Sequence, residues 1–136
     1  MLIHKTNIRV RYADTDQMQF VYNGKYAEYF EVSRTEMMRE LGLSYKVIEE
    51  NGYQMPLIKI QIEYKNPAFY DELLEVETRV EKLPVVRVHL DYTVRSNERN
   101  VEIANGYTEL VFINSKTKKI SRVPEFFLEK FRPIFE

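Results

Sequence analysis

The chain has 136 residues, 44% of them apolar and 30% charged. That is the size and balance of one globular domain over residues 1–136, and too apolar for a disordered chain. Twenty Lys and Arg stand against 21 Asp and Glu, which excludes a nucleic-acid binder that works through a bulk positive field. There is no cysteine, so disulfides, thiolate nucleophiles and zinc–sulfur sites are excluded.

Residues 5–12 alternate, with Ile8, Val10 and Tyr12 on one face, and predict a half-buried strand. A polar connection with Asp14 and Asp16 follows. Tyr26, Phe30, Ser33, Met37 and Leu41 then fall at three- and four-residue steps, predicting a helix over 26–41. Tyr29, Val32 and Met38 widen its apolar surface, so it is expected to be wrapped on more than one side. Asn23 is the predicted N-cap and Gly42 the stop. Glu31 and Arg34, three apart on this helix, are expected to pair with each other or across an interface. Ser44 predicts the cap of a second, short helix ending at Asn51-Gly52.

From Pro56 the period becomes two. Strands are predicted over 58–65, 74–81, 86–95 and 101–113, the last with Ala104, Gly106 and Thr108 on one small-residue face. The separating segments, 66–71, 83–84 and 96–100, are short enough for antiparallel neighbours. Gly106 is expected to let the long helix approach the sheet closely. A tail helix over 124–131 is expected to pack Phe126, Phe127 and Phe131. One long helix and five strands predict an α+β domain with one apolar sheet face.

The two histidines, His4 and His89, lie far apart in sequence, so no histidine-rich metal site is expected; His89 alternates outward in its strand. No apolar run approaches the roughly 20 residues that span a bilayer. The N-terminus lacks a signal core, and a cytoplasmic location is the expectation.

Chemistry concentrates in residues 11–26. Asp14 and Asp16 precede the start of a helix, whose first backbone N–H groups have no helical partner. A carboxylate facing such an end can act as base or nucleophile beside a ready oxyanion site. Aspartate is also favoured in plain turns and caps, and the residue types alone leave both readings open.

Arg11, Tyr12, Asp14, Asp16, Val21, Tyr22, Tyr26, Tyr29, Phe30, Glu31 and Arg34 match a pattern of arginine, aromatic, D-x-D, V-Y-x-x-x-Y and F-E-x-x-R. In this, and over nearly its whole length, the chain resembles the hotdog-fold acyl-CoA thioesterases of the 4-hydroxybenzoyl-CoA thioesterase and YbgC-like group. The resemblance implies a five-stranded antiparallel sheet wrapped around a long central helix. It implies Asp16 as the catalytic carboxylate, Asp14 as a holder of the loop, and the Asn23 amide as the group that polarises the thioester carbonyl. Gln19, Phe20, Val21, Tyr22 and Tyr26 would contact substrate, with Met55 and Ile58 as further pocket candidates. It implies an acyl-CoA substrate, no metal or other cofactor, no nucleic-acid or membrane partner, and a homodimer or homotetramer with interface active sites. Lys65, Arg95, Lys116, Lys118 and Lys119 are candidates for the CoA phosphates.

Two positions depart from the pattern. The glycine three residues after the catalytic aspartate is Gln19, which is expected to narrow the pocket or redirect the loop. Asn23 stands where many YbgC-like proteins carry histidine, so no proton transfer is available there. Alternatives are a non-catalytic acyl-thioester binding protein and an acyl-carrier-protein thioesterase. A hotdog dehydratase ranks below both, since neither histidine adjoins a suitable helix.

Overall fold

A computed structural model of residues 1–136 gives, in chain order, β1 (Leu2–Arg9), a 3-10 turn (Tyr12–Asp14), α1 (Lys25–Glu40), α2 (Tyr45–Glu50), β2 (Tyr53–Gln54), β3 (Leu57–Tyr64), β4 (Leu73–Val80), β5 (Arg87–Ser96), β6 (Val101–Asn114), β7 (Ile120–Ser121) and α3 (Glu125–Phe135). The five long strands are antiparallel in the order β1-β4-β5-β6-β3, and the short β2 and β7 pair with the end of β6. α1 touches β4, β1 and β3. Since β1 and β3 stand at opposite edges of the five-strand order, the sheet curls round the helix.

The helix is built by a single stripe. Tyr26, Tyr29, Phe30, Ser33, Arg34, Met37 and Met38 are buried, alternating steps of three and one, which is the spacing of one helical face. Val32 is exposed, so α1 is covered on one side rather than on several. Phe30 stacks on Tyr92 with ring centroids 4.2 Å apart; full burial of such a ring contributes about 2 kcal/mol. Gly42, at φ +75°, ends the helix as expected. Ser44 caps α2, its side chain accepting from Val47 N–H at 3.3 Å. Arg34 does not pair with Glu31. Its guanidinium is buried, with Nε donating to the Tyr45 hydroxyl and Nη1 to the Tyr92 hydroxyl, each at 3.1 Å. Phenol oxygens reached from the sheet and α2 win because a buried cation must be hydrogen-bonded.

On the inner face Leu74, Val76, Thr78 and Val80 of β4 and Val88, Leu90, Tyr92 and Val94 of β5 are buried, as the period of two predicts. His89 stands on the outer face between Glu109 (3.0 Å) and Asp91 (3.2 Å); burial works against its charged form, but the two carboxylates raise its pKa overall. α3 runs longer than expected and buries Phe127 and Phe131, with Phe126 half-buried.

Four further expectations need correction. β1 ends at Arg9, because Val10 leaves β4 and bonds the segment before it: its N–H donates to Glu72 O and its carbonyl accepts from Asp71 N–H, both at 2.9 Å. Tyr12 is therefore 78% exposed. Gly106 admits a strand, not the helix: a Cβ there would lie 2.0 Å from the carbonyl oxygen of Gln61 in β3. The apolar face of β3 is only partly covered, with Ile58, Ile60 and Tyr64 exposed, since β3 is an edge and α1 barely reaches it. Finally, β3 and β4 are not neighbours. Residues 65–72 instead cross the ends of β6 and β5, with Lys65 and Asn66 N–H donating to Ile103 O at 2.8 and 3.1 Å.

Candidate active site

The site is built where the end of β1, the start of α1 and this crossing segment meet. The first anchor is Asp14, 2% exposed. Its carboxylate accepts from Arg11 N–H at 3.0 Å, the Tyr29 hydroxyl at 2.9 Å and Arg11 Nη2 at 3.2 Å, with Lys25 Nζ 3.8 Å away. Burial pushes its pKa up, but the Arg11 amide, the Tyr29 hydroxyl and the Arg11 guanidinium outweigh burial and hold it below the usual range. The same bond, after burial, pushes the Tyr29 phenol up. Asp14 is thus a structural carboxylate, and Tyr22 N–H donating to Asp14 O at 2.9 Å ties it to the approach to α1.

Asp16 sits in a tight turn. Thr15 and Val21 form an isolated antiparallel bridge. Within it Asp16 N–H donates to Phe20 O at 3.1 Å and Gln19 N–H to Asp16 O at 2.9 Å. The Asp16 side chain closes an Asx turn, Oδ1 accepting from Met18 N–H at 2.9 Å. Oδ2 has no hydrogen-bond or ion-pair partner in the chain. Asp16 is half-buried and lines a depression of about 340 Å³ with Tyr12, Thr15, Gln19, Phe69 and Tyr70. Gln19 has φ +68°, a left-handed conformation that glycine adopts freely and other residues at a cost of about 1 kcal/mol.

The start of α1 faces a second depression. Gly24, not Asn23, is the N-cap, and no side chain caps the helix. Lys25 N–H donates to Tyr22 O at 2.9 Å and Tyr26 N–H to Asn23 O at 3.5 Å, a turn that leads into the helix. The N–H groups of Asn23 and Gly24 have no partner in the chain. The Asn23 carbonyl accepts from the Tyr64 hydroxyl at 3.1 Å, which fixes the plane of the Asn23–Gly24 peptide. This depression, about 330 Å³, is lined by Phe20, Val21, Asn23, Tyr26, Tyr64, Lys65, Asn66 and Pro67. Burial, then the field of Tyr64 and Glu72, raises the Tyr26 phenol to about 12, so it is a neutral wall.

The sequence candidates therefore divide. Asp16 and Gln19 line one depression; Phe20, Val21, Asn23 and Tyr26 line the other. Tyr22 lines neither: it is exposed, and its ring covers Gly24 so closely that a Cβ there would meet Cε2 at 2.8 Å. Met55 is core and Ile58 lies on the open edge strand. Of the candidate cations only Lys65 lines either depression, and its Nζ lies 3.5 Å from Glu63. Arg95 is bonded to Asn100, and Lys116, Lys118 and Lys119 lie on the connection from β6 to β7. The residues missed were Tyr64, Asn66, Pro67, Phe69 and Tyr70. Their only sequence signal was the Asn66-Pro67 turn, which marks a change of direction but not what it passes over.

This geometry can be set beside known proteins. Residues 10–131 match the model of the thioesterase-like superfamily. The chain belongs to that superfamily. Among relatives, YneP of Bacillus subtilis (strain 168) is 42% identical over 81 residues, covering 60% of this chain and 59% of that protein. The acyl-CoA thioester hydrolase YbgC of Escherichia coli O6:H1 is 34% identical over 73 residues, 54% of each. The matched stretch thus spans little more than half the length of either. A solved DHNA-CoA thioesterase of Staphylococcus aureus superposes with a TM-score of 0.90 at 35% identity, covering 99% of this chain and 92% of that one. The superfamily's hotdog fold is that of this chain, and the Asp14–Asp16 turn and the start of α1 lie within the matched residues.

Proposed function

We propose that this superfamily member hydrolyses acyl-CoA thioesters, with Asp16 as the reacting carboxylate and the Asn23 amide as the oxyanion donor. The observation that supports it most is the division of labour at Asp16: Oδ1 is spent on Met18 N–H, which sets the orientation, while Oδ2 is free. The turn Asp16–Phe20 separates that oxygen from the unpaired Asn23 and Gly24 amides. Oδ2 either attacks the thioester carbon, releasing the CoA thiolate and giving a mixed anhydride that water then hydrolyses to restore Asp16, or removes a proton from an attacking water. Either route adds water across the thioester and yields a carboxylic acid and free CoA. An amide at a helix start, aimed at the carbonyl oxygen as it gains charge, contributes about 3 kcal/mol.

The two depressions are separate within one chain. The reading therefore includes a homodimer or homotetramer with active sites at the interface, built on the exposed apolar edge of β3. Residues 1–136 act in it as one catalytic domain, in the cytoplasm, where a cysteine-free chain is unremarkable. No helix is long and apolar enough to cross a membrane. Purified protein given a panel of acyl-CoAs and a thiol reagent is expected to release CoA, and Asp16→Asn is expected to abolish the release. Tight binding of an acyl-CoA without any release would favour a non-catalytic binding protein. Faster release from acyl-carrier protein than from CoA would change the carrier and keep the chemistry.

A further inference from the structure

Resting on that reading, we infer that the pair formed by the buried Glu72 carboxylate and the exposed Arg99 guanidinium is a positioning device for the thioester site, holding the segment that forms a wall of both depressions. Residues 65–72 cross the ends of β6 and β5. Asn66 and Pro67 face the helix-start depression, and Phe69 and Tyr70 face the Asp16 depression. A crossing segment has no strand ladder of its own, so scattered backbone bonds leave part of its path to be set by side chains.

Arg99, from the β5–β6 turn beneath, supplies them. Its Nε donates to Glu72 Oε2 at 2.7 Å and its Nη2 to Glu72 Oε1 at 2.9 Å, a two-pronged contact. Nη2 also donates to Pro67 O at 2.7 Å. The guanidinium lies over the Phe69 ring, 4.8 Å from its centroid. Glu72, 6% exposed, further accepts from Phe69 N–H at 3.1 Å and from the Ser96 hydroxyl. One side-chain pair thus fixes Pro67 beside one depression and Phe69 beside the other. The same segment holds the catalytic turn, since Val21 N–H donates to Ala68 O at 2.8 Å and Val10 N–H to Glu72 O at 2.9 Å. Neither Glu72 nor Arg99 lines a depression, so the pair acts through the wall and not on the substrate.

The test compares steady-state kinetics of the wild type, Arg99→Met, Arg99→Lys and, as a control ion pair on α3, Arg132→Gln. The probe is an acyl-CoA that the wild type turns over. Arg99→Met is expected to raise KM about tenfold with kcat within about threefold, because a displaced wall weakens binding of ground and transition states alike. Arg99→Lys keeps the charge but loses the fork and is expected to fall between, at about threefold. Arg132→Gln is expected to leave KM unchanged. Binding of a non-hydrolysable thioether analogue of the same acyl-CoA is expected to weaken in parallel with KM. An Arg99→Met protein that is folded by circular dichroism and keeps the wild-type KM and analogue Kd overturns the inference, as does a lower Tm and kcat at constant KM. Should Arg99→Met not fold, Arg99→Lys decides by the same criteria. A wild type that binds the analogue but releases no CoA overturns the hydrolytic reading instead, and the analogue Kd values still decide the role of Arg99.

Discussion

Asp14 and Asp16 lie two residues apart in one connection, and the protein treats them in opposite ways. Asp14 is buried and receives an amide, a phenol and a guanidinium on its two oxygens. Asp16 is half-buried and receives a single amide on one oxygen. A carboxylate saturated with donors is stabilised as an anion and is a poor base; one with an unengaged oxygen keeps a lone pair for chemistry. The first fixes the loop against α1 through Tyr29, and the second hangs from that fixed loop at the edge of a depression. On the proposed reading, anchor and reagent are separated by which elements surround each residue, not by residue type.

The largest effect that would break this contrast is on turnover. Asp16→Asn keeps an oxygen for Met18 N–H and is expected to change unfolding free energy by under about 0.5 kcal/mol. Removing the reacting carboxylate is expected to lower kcat/KM by about 10²- to 10⁴-fold. Turnover that survives the change moves the chemistry elsewhere.

Asp14→Ala should show the reverse pattern. It leaves the buried Tyr29 hydroxyl and the Arg11 amide without their acceptor, at an expected cost of about 3 kcal/mol in urea unfolding. The folded fraction should keep more of its activity than Asp16→Asn does. Equal stability with lost turnover would make Asp14, and not Asp16, the reacting carboxylate.

Acid sharpens the same contrast with a smaller effect. The Asp14 pKa is lowered in the native protein: burial opposes this, but the Arg11 amide and the Tyr29 hydroxyl prevail. Glu72 is lowered likewise, with burial outweighed by Arg99, Ser96 and the Phe69 amide. A depressed native pKa contributes stability that is fully present above the unfolded value, and that stability is lost as pH falls through the native value. From these two groups Tm is expected to fall as pH drops below the ordinary values of 3.8 for Asp14 and 4.5 for Glu72. In Asp14→Asn the lower part of that fall should be shallower when followed by thermal unfolding from about pH 7 to about pH 3. An unchanged acid limb would remove Asp14 as an anchor.

Periodicity made the inner face of the sheet and the buried stripe of α1 legible, since burial on one side imposes a period directly. It failed where partners come from afar. The alternation that includes Tyr12 continues past the point where Val10 leaves β4, because hydrogen bonding to Asp71 and Glu72 ends the strand, not hydropathy. The short connection 66–71 read as a turn between neighbours, although β3 and β4 lie at separate places in the sheet. With that crossing unseen, Tyr64, Phe69 and Tyr70 could not be joined to Asp16 and Asn23. Arg34 showed the same limit: three-residue spacing pointed to Glu31, while the guanidinium bonds Tyr45 and Tyr92. At Asn23 the cap failed by one residue: the helix starts at Lys25 with Gly24 as its boundary, and no side chain caps it.

The smallest effect concerns the turn itself. Gln19 holds φ +68° where the superfamily pattern read from the sequence has glycine, so its side chain is carried at a backbone cost that glycine escapes. Gln19→Gly relieves the left-handed conformation but adds freedom to the unfolded chain, and these oppose each other. The net expectation is a gain of about 0.5 kcal/mol in unfolding free energy. Gln19 also lines the Asp16 depression, so removing its side chain widens the approach to Oδ2 and is expected to lower KM for bulky acyl groups more than for acetyl. A chain that becomes less stable with no change in acyl preference would show that the glutamine side chain supports the turn instead of narrowing the site.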